Sequence, residues 1–408
     1  MKPCGRWCAR LLFACLVVEV CSAFSLRILQ RVKGITYSPL HVLTHSPRHK
    51  ELLSKVILTE HFRMTHSPTL GWTVRPYSRT AWCRTNSRGI RSDQEYAFTP
   101  PAHMVRMAAF GDSFTFAPGV TNHEMWEAQL QQLSPSLEVL NFGVEGYGLD
   151  QAFLRYRQDG VPFDPHIVLI GFLTENISRH VNVFRPFYHA DSLPFAKPRF
   201  RVVDGRLALL DNPLPSLESY RRLLADEQSV LRELGKHDYF FKRRTHSGVF
   251  DFLHSVRLFK IGLDAFLLDK PTTRIIVNGR YNTASEAYGV TIRLFEAFHR
   301  AALDHSSLPL IVIFPTSNDL QRYRKDRSKV YAPLLDDFRA RDFHYIEILE
   351  GLEHYGRRAR IEDLYLTGAR YPNHLSPLGN WIAAKHVLDY LETHSLTTAG
   401  ALARHEQR

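Results

Sequence analysis

Cysteine is scarce and poorly placed for structural use. Five occur in 408 residues, and four of them (Cys4, Cys8, Cys15 and Cys21) fall at the extreme N-terminus. Cys83 stands alone in the body of the chain. No intramolecular disulfide can form there, and no CxxC pair exists to build a metal knuckle. The fold must therefore rest on an apolar core, and 44% hydrophobic residues over this length can supply one. No repeat at a solenoid period is visible. Blocks of consecutive Lys and Arg long enough to mark a nucleic-acid-binding tail are also missing. The formal net charge of +11 then reads as a basic, solvated surface. An anionic glycan or a membrane surface is the other partner such charge suits, and nucleic acid is not expected.

Long apolar runs are missing everywhere but the N-terminus. There Lys2, Arg6 and Arg10 form a positive flank, and Leu11 to Val20 is apolar except for Glu19. Cys21-Ser22-Ala23 offers small residues for cleavage after Ala23. The run is short for a membrane span, and Arg27, Arg31 and Lys33 follow closely. Residues 1–23 are expected to be a signal peptide or an N-terminal membrane anchor; a buried helix is a third reading. The protein is then exported, as a periplasmic, extracellular or membrane-anchored species. Glu19 argues against a lipoprotein built on Cys21.

Residues 24–100 are rich in turn formers and read as an N-terminal extension with short strands leaning on the main domain. From about residue 104 the pattern changes. Strand-like runs appear at 105–110, 137–142, 166–172, 310–314 and 343–349. Helical periodicity separates them, as in Trp126, Leu130 and Leu133. The alternation predicts an α/β three-layer sandwich over 101–395, with a central parallel sheet of about five strands. Residues 180–284 interrupt it and are expected to form a mainly helical insertion over the C-terminal edge of the sheet. Its aromatics (Phe184, Phe187, Tyr188, Phe195 and Phe200) suit either a sugar platform or ordinary core. Residues 396–408 are expected to be a flexible tail.

Four segments at strand ends carry chemistry. Gly111-Asp112-Ser113 joins a strand to a helix, where a serine can face free helix-terminal N–H groups; the same tripeptide also makes an ordinary cap. Asn141 to Gly148 holds three glycines after the second strand. They allow a backbone N–H to approach a reacting oxygen, or serve only the bend. No Lys-Ser/Thr follows, which excludes a Walker loop. Thr174-Glu175-Asn176 follows the third strand. The Asn176 amide can donate to an oxyanion, or cap a helix, or accept a glycan in the sequon Asn176-Ile177-Ser178. Finally, His374 lies on a Pro- and Asn-rich loop before the last helix. Among 21 histidines only this context singles it out.

In this order, the four segments resemble the conserved blocks of the SGNH hydrolase superfamily, the GDSL-type esterases and lipases. Residues 104–179 and 305–395 carry the resemblance. It implies Ser113 as nucleophile, His374 as base, and Gly146 and Asn176 as oxyanion-hole donors. No cofactor or metal is implied. The implied reaction is hydrolysis of an acyl ester, such as an O-acetyl group, on a small molecule or glycan. Transfer of the acyl group to a surface glycan is one alternative; a catalytically silent, membrane-tethered binding protein is the other. The chain departs from the family pattern twice. Ile177 replaces the aspartate of the third block, and Tyr371 stands where the acid that orients the histidine usually lies. Asp363 is the nearest substitute, or a backbone carbonyl orients the imidazole, leaving a Ser–His dyad.

Overall fold

The computed structural model describes residues 3–33, 37, 47–58, 63–189, 192–241, 248–268, 273–368 and 371–398. Its centre is a five-stranded, all-parallel sheet. The early strands form a hairpin, β1 (Met64–Ser67) with β2 (Gly71–Val74). The sheet uses β3 (Val105–Phe110), β4 (Leu137–Asn141) and β5 (Ile167–Leu173). Next come two antiparallel hairpins, β6 (Arg199–Val203) with β7 (Arg206–Leu210), and β8 (Ile276–Val277) with β9 (Arg280–Tyr281). β10 (Leu308–Phe314) and β11 (Tyr345–Glu347) complete the sheet, in the order β4-β3-β5-β10-β11.

Every residue of β3 and β5 is buried, as strands covered on both faces require. Their side chains alternate between two cores. Ala108 and Phe110 join Phe142, Tyr156, Phe295 and Phe298 beneath helices Leu149–Arg155 and Glu286–Asp304. Val105, Met107 and Ala109 join Trp126, Ile382 and Leu388 beneath helices Trp126–Leu133 and Pro377–Thr393. The chain enters at β3, steps outward to β4, then returns past β3 to β5. The strand order thus reverses between β3 and β5, and the crevice at their C-terminal ends is where such sheets bind ligands.

Several expectations need correction. The fifth strand spans only Tyr345–Glu347, and Ile348 and Leu349 instead open a helix running to Tyr355. The insertion contains the β6–β7 and β8–β9 hairpins besides its helices. Phe184, Phe187, Phe195 and Phe200 are buried, so these four form core and no sugar platform. Of the tail, Leu396 is fully buried and the Thr397 carbonyl accepts from Ser136 Oγ at 3.1 Å; residues 399–408 lie outside the described residues.

The N-terminal extension is more than a leaning segment. The fully buried Arg91 donates to the carbonyls of Phe116, Ala117 and Val120, clamping the loop that follows Ser113. Arg155 donates to Phe142 at 2.7 Å and to Gly89 at 3.2 Å, tying the extension to the end of β4. The insertion is pinned by an ion pair between Lys197 and Asp150, both fully buried. Removing one member strands a charge in the core. We predict that Lys197→Met lowers unfolding free energy by about 3–5 kcal/mol, measured by urea denaturation; a loss under about 1 kcal/mol would place the pair among ordinary surface bridges.

Candidate active site

β3 ends at Phe110, and Gly111-Asp112 turn the chain into the short helix Ser113–Phe116. Asp112 caps that helix, accepting from Phe114 N–H at 2.8 Å. Ser113 is its first residue, so its own N–H has no partner within the helix. Two asparagines fix the turn from outside. Asn141, at the end of β4, donates from Nδ2 to the Thr115 carbonyl at 2.7 Å. Asn380 accepts from Trp126 N–H at 3.2 Å, and Trp126 Nε1 donates to the Phe114 carbonyl at 3.2 Å. A side chain on Gly143 would place its Cβ 2.3 Å from the Phe116 nitrogen, so the second glycine-rich loop can lie against the helix only with glycine there.

His374 arrives from the opposite end of the chain. Its loop is fastened by Leu366 N–H to the His374 carbonyl (2.7 Å), Asn373 N–H to the Leu366 carbonyl (2.9 Å), and Ser317 Oγ to Asn373 Oδ1 (3.1 Å). The imidazole Nε2 lies 2.9 Å from Ser113 Oγ. Its ring sits 5.3 Å from that of Phe114. Burial disfavours the imidazolium and lowers the His374 pKa below the ordinary value; the carbonyls of Tyr371 and Pro372 oppose this, and Arg179 reinforces it. Among the described residues, no carboxylate hydrogen-bonds the ring. Nδ1 is buried, and the carbonyls of Tyr371 and Pro372 are the groups that favour a proton on the ring, without closing a well-formed hydrogen bond. Asp363 is spent elsewhere, on Arg360 at 2.9 and 3.1 Å, so the suggested acid is not the partner of His374.

Ser113, Gly146 and His374 line one cavity of about 340 Å³. Gly146 has φ +81, a conformation that favours glycine. Its N–H and that of Ser113 donate to no group among the described residues. Asn176 opens a helical turn just behind this wall. It is buried, and its amide lies at the Asp112 carboxylate, whose pKa it helps to lower, without closing a well-formed hydrogen bond. Burial also rules out glycosylation of the folded chain at this sequon, and Glu175, not Asn176, stands at the helix cap, with no side-chain capping bond. Asn176 does not itself line the cavity, whereas its neighbour Glu175 does.

Sequence reasoning missed the charged wall. Arg179 bonds Asp112 at 3.1 Å and also pairs with Glu175. Burial raises the Asp112 pKa although Arg179 opposes it; at Glu175 burial also raises, but Arg179, His189 and Arg185 together outweigh it and hold that carboxyl below its usual range. Arg185 lines the same cavity, and burial together with Arg179 pushes its guanidinium down to about 10. Its Nη1 is buried without a hydrogen-bond partner. Trp72, from β2, donates to the Glu145 carbonyl at 3.0 Å, and Arg63 pairs with the Glu145 carboxylate. The extension thus holds the loop that carries Gly146. No local pattern separates Arg63, Arg179 or Arg185 from the many other cationic residues.

No family model matches the chain, and no curated protein matches it. Solved structures do match. One is a lipolytic protein of the G-D-S-L family from Desulfitobacterium hafniense, at 14% identity and TM-score 0.36, covering 70% of this chain and 99% of that one. A second is an esterase, EstA, from a Pseudoalteromonas species, at 10% identity and TM-score 0.32, covering 71% and 97%. A third is a two-domain esterase active on acetylated mannans, at 10% identity and TM-score 0.34, covering 71% of this chain and 49% of that one.

A base must be neutral to accept a proton. Because the His374 pKa is lowered, its charged form is confined to more acidic solution. We predict that kcat/KM on an activated ester falls only as pH drops through a midpoint below the ordinary histidine value of about 6.5. A midpoint above it would contradict the burial of the imidazole.

Proposed function

We propose that this chain is a serine esterase of SGNH type, acting through Ser113 and His374 on a short acyl ester. The observation that carries the reading is the 2.9 Å contact between Ser113 Oγ and His374 Nε2 at the wall of a cavity shared with Gly146. His374 takes the hydroxyl proton as Oγ attacks the ester carbonyl. The oxyanion forms beside the N–H groups of Ser113 and Gly146, with the Asn176 amide as a third donor once its side chain turns toward the cavity. Collapse of the intermediate expels the alcohol, which receives the proton from the imidazolium. Water then attacks the acyl-enzyme by the same route and restores Ser113. Each donor is typically worth about 3 kcal/mol to the transition state.

Cavity size and charge limit the substrate. About 340 Å³ lies near the lower end of ligand pockets, and Glu145, Glu175, Arg179 and Arg185 all border it. A long alkyl chain would have to desolvate those groups, while a polar alcohol such as a sugar would not. The favoured substrate is a small acyl group, such as acetyl, on a glycan or other hydrophilic alcohol. An exported or membrane-bound location fits such a substrate.

Initial rates on p-nitrophenyl esters from acetate upward test the assignment. Turnover should decline as the acyl chain lengthens, and Ser113→Ala should lose a factor of about 10⁴ or more in kcat. Rates that climb with chain length would overturn the substrate class; an unimpaired Ser113→Ala enzyme would overturn the mechanism.

A further inference from the structure

The N-terminal helix runs from Pro3 to Lys33, and its segment Trp7–Val32 is long and apolar enough to cross a membrane, with almost none of it covered by the rest of the chain. At about 1.5 Å per residue the segment spans roughly 39 Å, more than the about 30 Å of a hydrocarbon core. Glu19 interrupts it, and the structure gives that residue a task. Its carboxylate accepts from the N–H of His254 at 2.7 Å and of Ser255 at 3.1 Å, and also from Ser255 Oγ. Glu19 therefore caps a second helix, His254–Leu268, which packs along the first.

This second helix is inverted for a water-soluble protein. Its outward face carries Phe259, Gly262, Ala265 and Phe266, with Phe259 69% and Phe266 82% exposed. The preceding turn adds Val249, Phe250 and Phe252, all exposed. The charges turn inward instead. Lys260 pairs with the buried Asp251, and Arg257 donates to the Asp251 carbonyl. Water would favour the opposite arrangement. An apolar face that continues the surface of a spanning helix suits hydrocarbon. Cleavage after Ala23 would also remove Glu19 and leave the second helix without its cap.

We propose that the N-terminal helix is retained as an anchor, and that the segment 249–268 inserts beside it into the same lipid bilayer as a short, non-spanning helix. At fifteen residues that helix is about 22 Å long, too short to cross. The inference deepens the membrane association expected from the sequence and is independent of the esterase reading.

The test uses the full chain reconstituted in phosphatidylcholine–phosphatidylglycerol vesicles. An apolar carbene precursor dissolved in the bilayer is photolysed with glutathione in the water phase as scavenger, and adducts are mapped by peptide mass spectrometry. The N-terminus of chain purified from membranes is sequenced in parallel. Adducts are expected in 249–268 as well as in the N-terminal helix, on a chain that still contains residues 3–33. The β6–β7 hairpin, which exposes Val202, Val203 and Leu209 to water, should stay unmodified. Adducts confined to the N-terminal helix would overturn insertion of the second helix. Equal modification of the β6–β7 hairpin would do the same, and a mature chain beginning at Phe24 would overturn the anchor.

Discussion

One hydrogen bond, Ser113 Oγ to His374 Nε2 at 2.9 Å, joins residues 261 positions apart, and the surrounding structure is organised to hold its two ends. One end is fixed by the sheet: β3 delivers Ser113 at the point where strand order reverses, and Asn141, Trp126 and Asn380 fasten the turn after it. The other end is a loop, tied down by backbone bonds to Leu366, a bridge between Tyr365 and Leu375, and a side-chain bond from Ser317. Loops held at the open end of a rigid sheet commonly carry function, because the sheet sets position while the loop supplies side-chain direction.

The electrostatics divide into two parts. At His374 the dominant effect is burial, with two backbone carbonyls in place of a carboxylate. Burial thus favours the neutral imidazole, the form a general base requires, and an imidazolium there would have less support than a buried aspartate gives. On the other wall, Asp112, Glu175 and Glu145 face Arg179, Arg185 and Arg63. Opposite charges balance there, yet Arg185 is not paired: its Nη1 is buried without a partner, while its Nη2 lies against Gly146.

The five-stranded sheet was legible because β3, β5 and β10 are short apolar runs between helical periods, a signal that needs no tertiary information. Ser113, Gly146 and His374 were legible because strand-end motifs occur in a recognisable order, and the fold places them on one cavity. Asn176 was legible only as a position; its burial beside the Asp112 carboxylate is a three-dimensional fact. Of the alternatives left open for orienting His374, Asp363 drops out: it is near in sequence yet bonds to Arg360. The clamps by Arg91 and Arg155, the pairing of Arg63 with Glu145, the bond from Arg179 to Asp112 and the contribution of Trp72 were invisible, since each acts across the fold on backbone carbonyls or distant carboxylates. Glu19 looked like a flaw in an apolar run because its partners, His254 and Ser255, lie over two hundred residues away.

The central claim is that Ser113 is a nucleophile activated by His374. The most direct measurement is reaction of the full chain with a fluorophosphonate, followed by intact-mass and peptide mass spectrometry of the native chain and of His374→Ala. The account predicts a single covalent adduct on Ser113, formed at a rate that falls by orders of magnitude in the variant. A chain that stays unmodified while folded, or one that carries the adduct on a different serine, would contradict it.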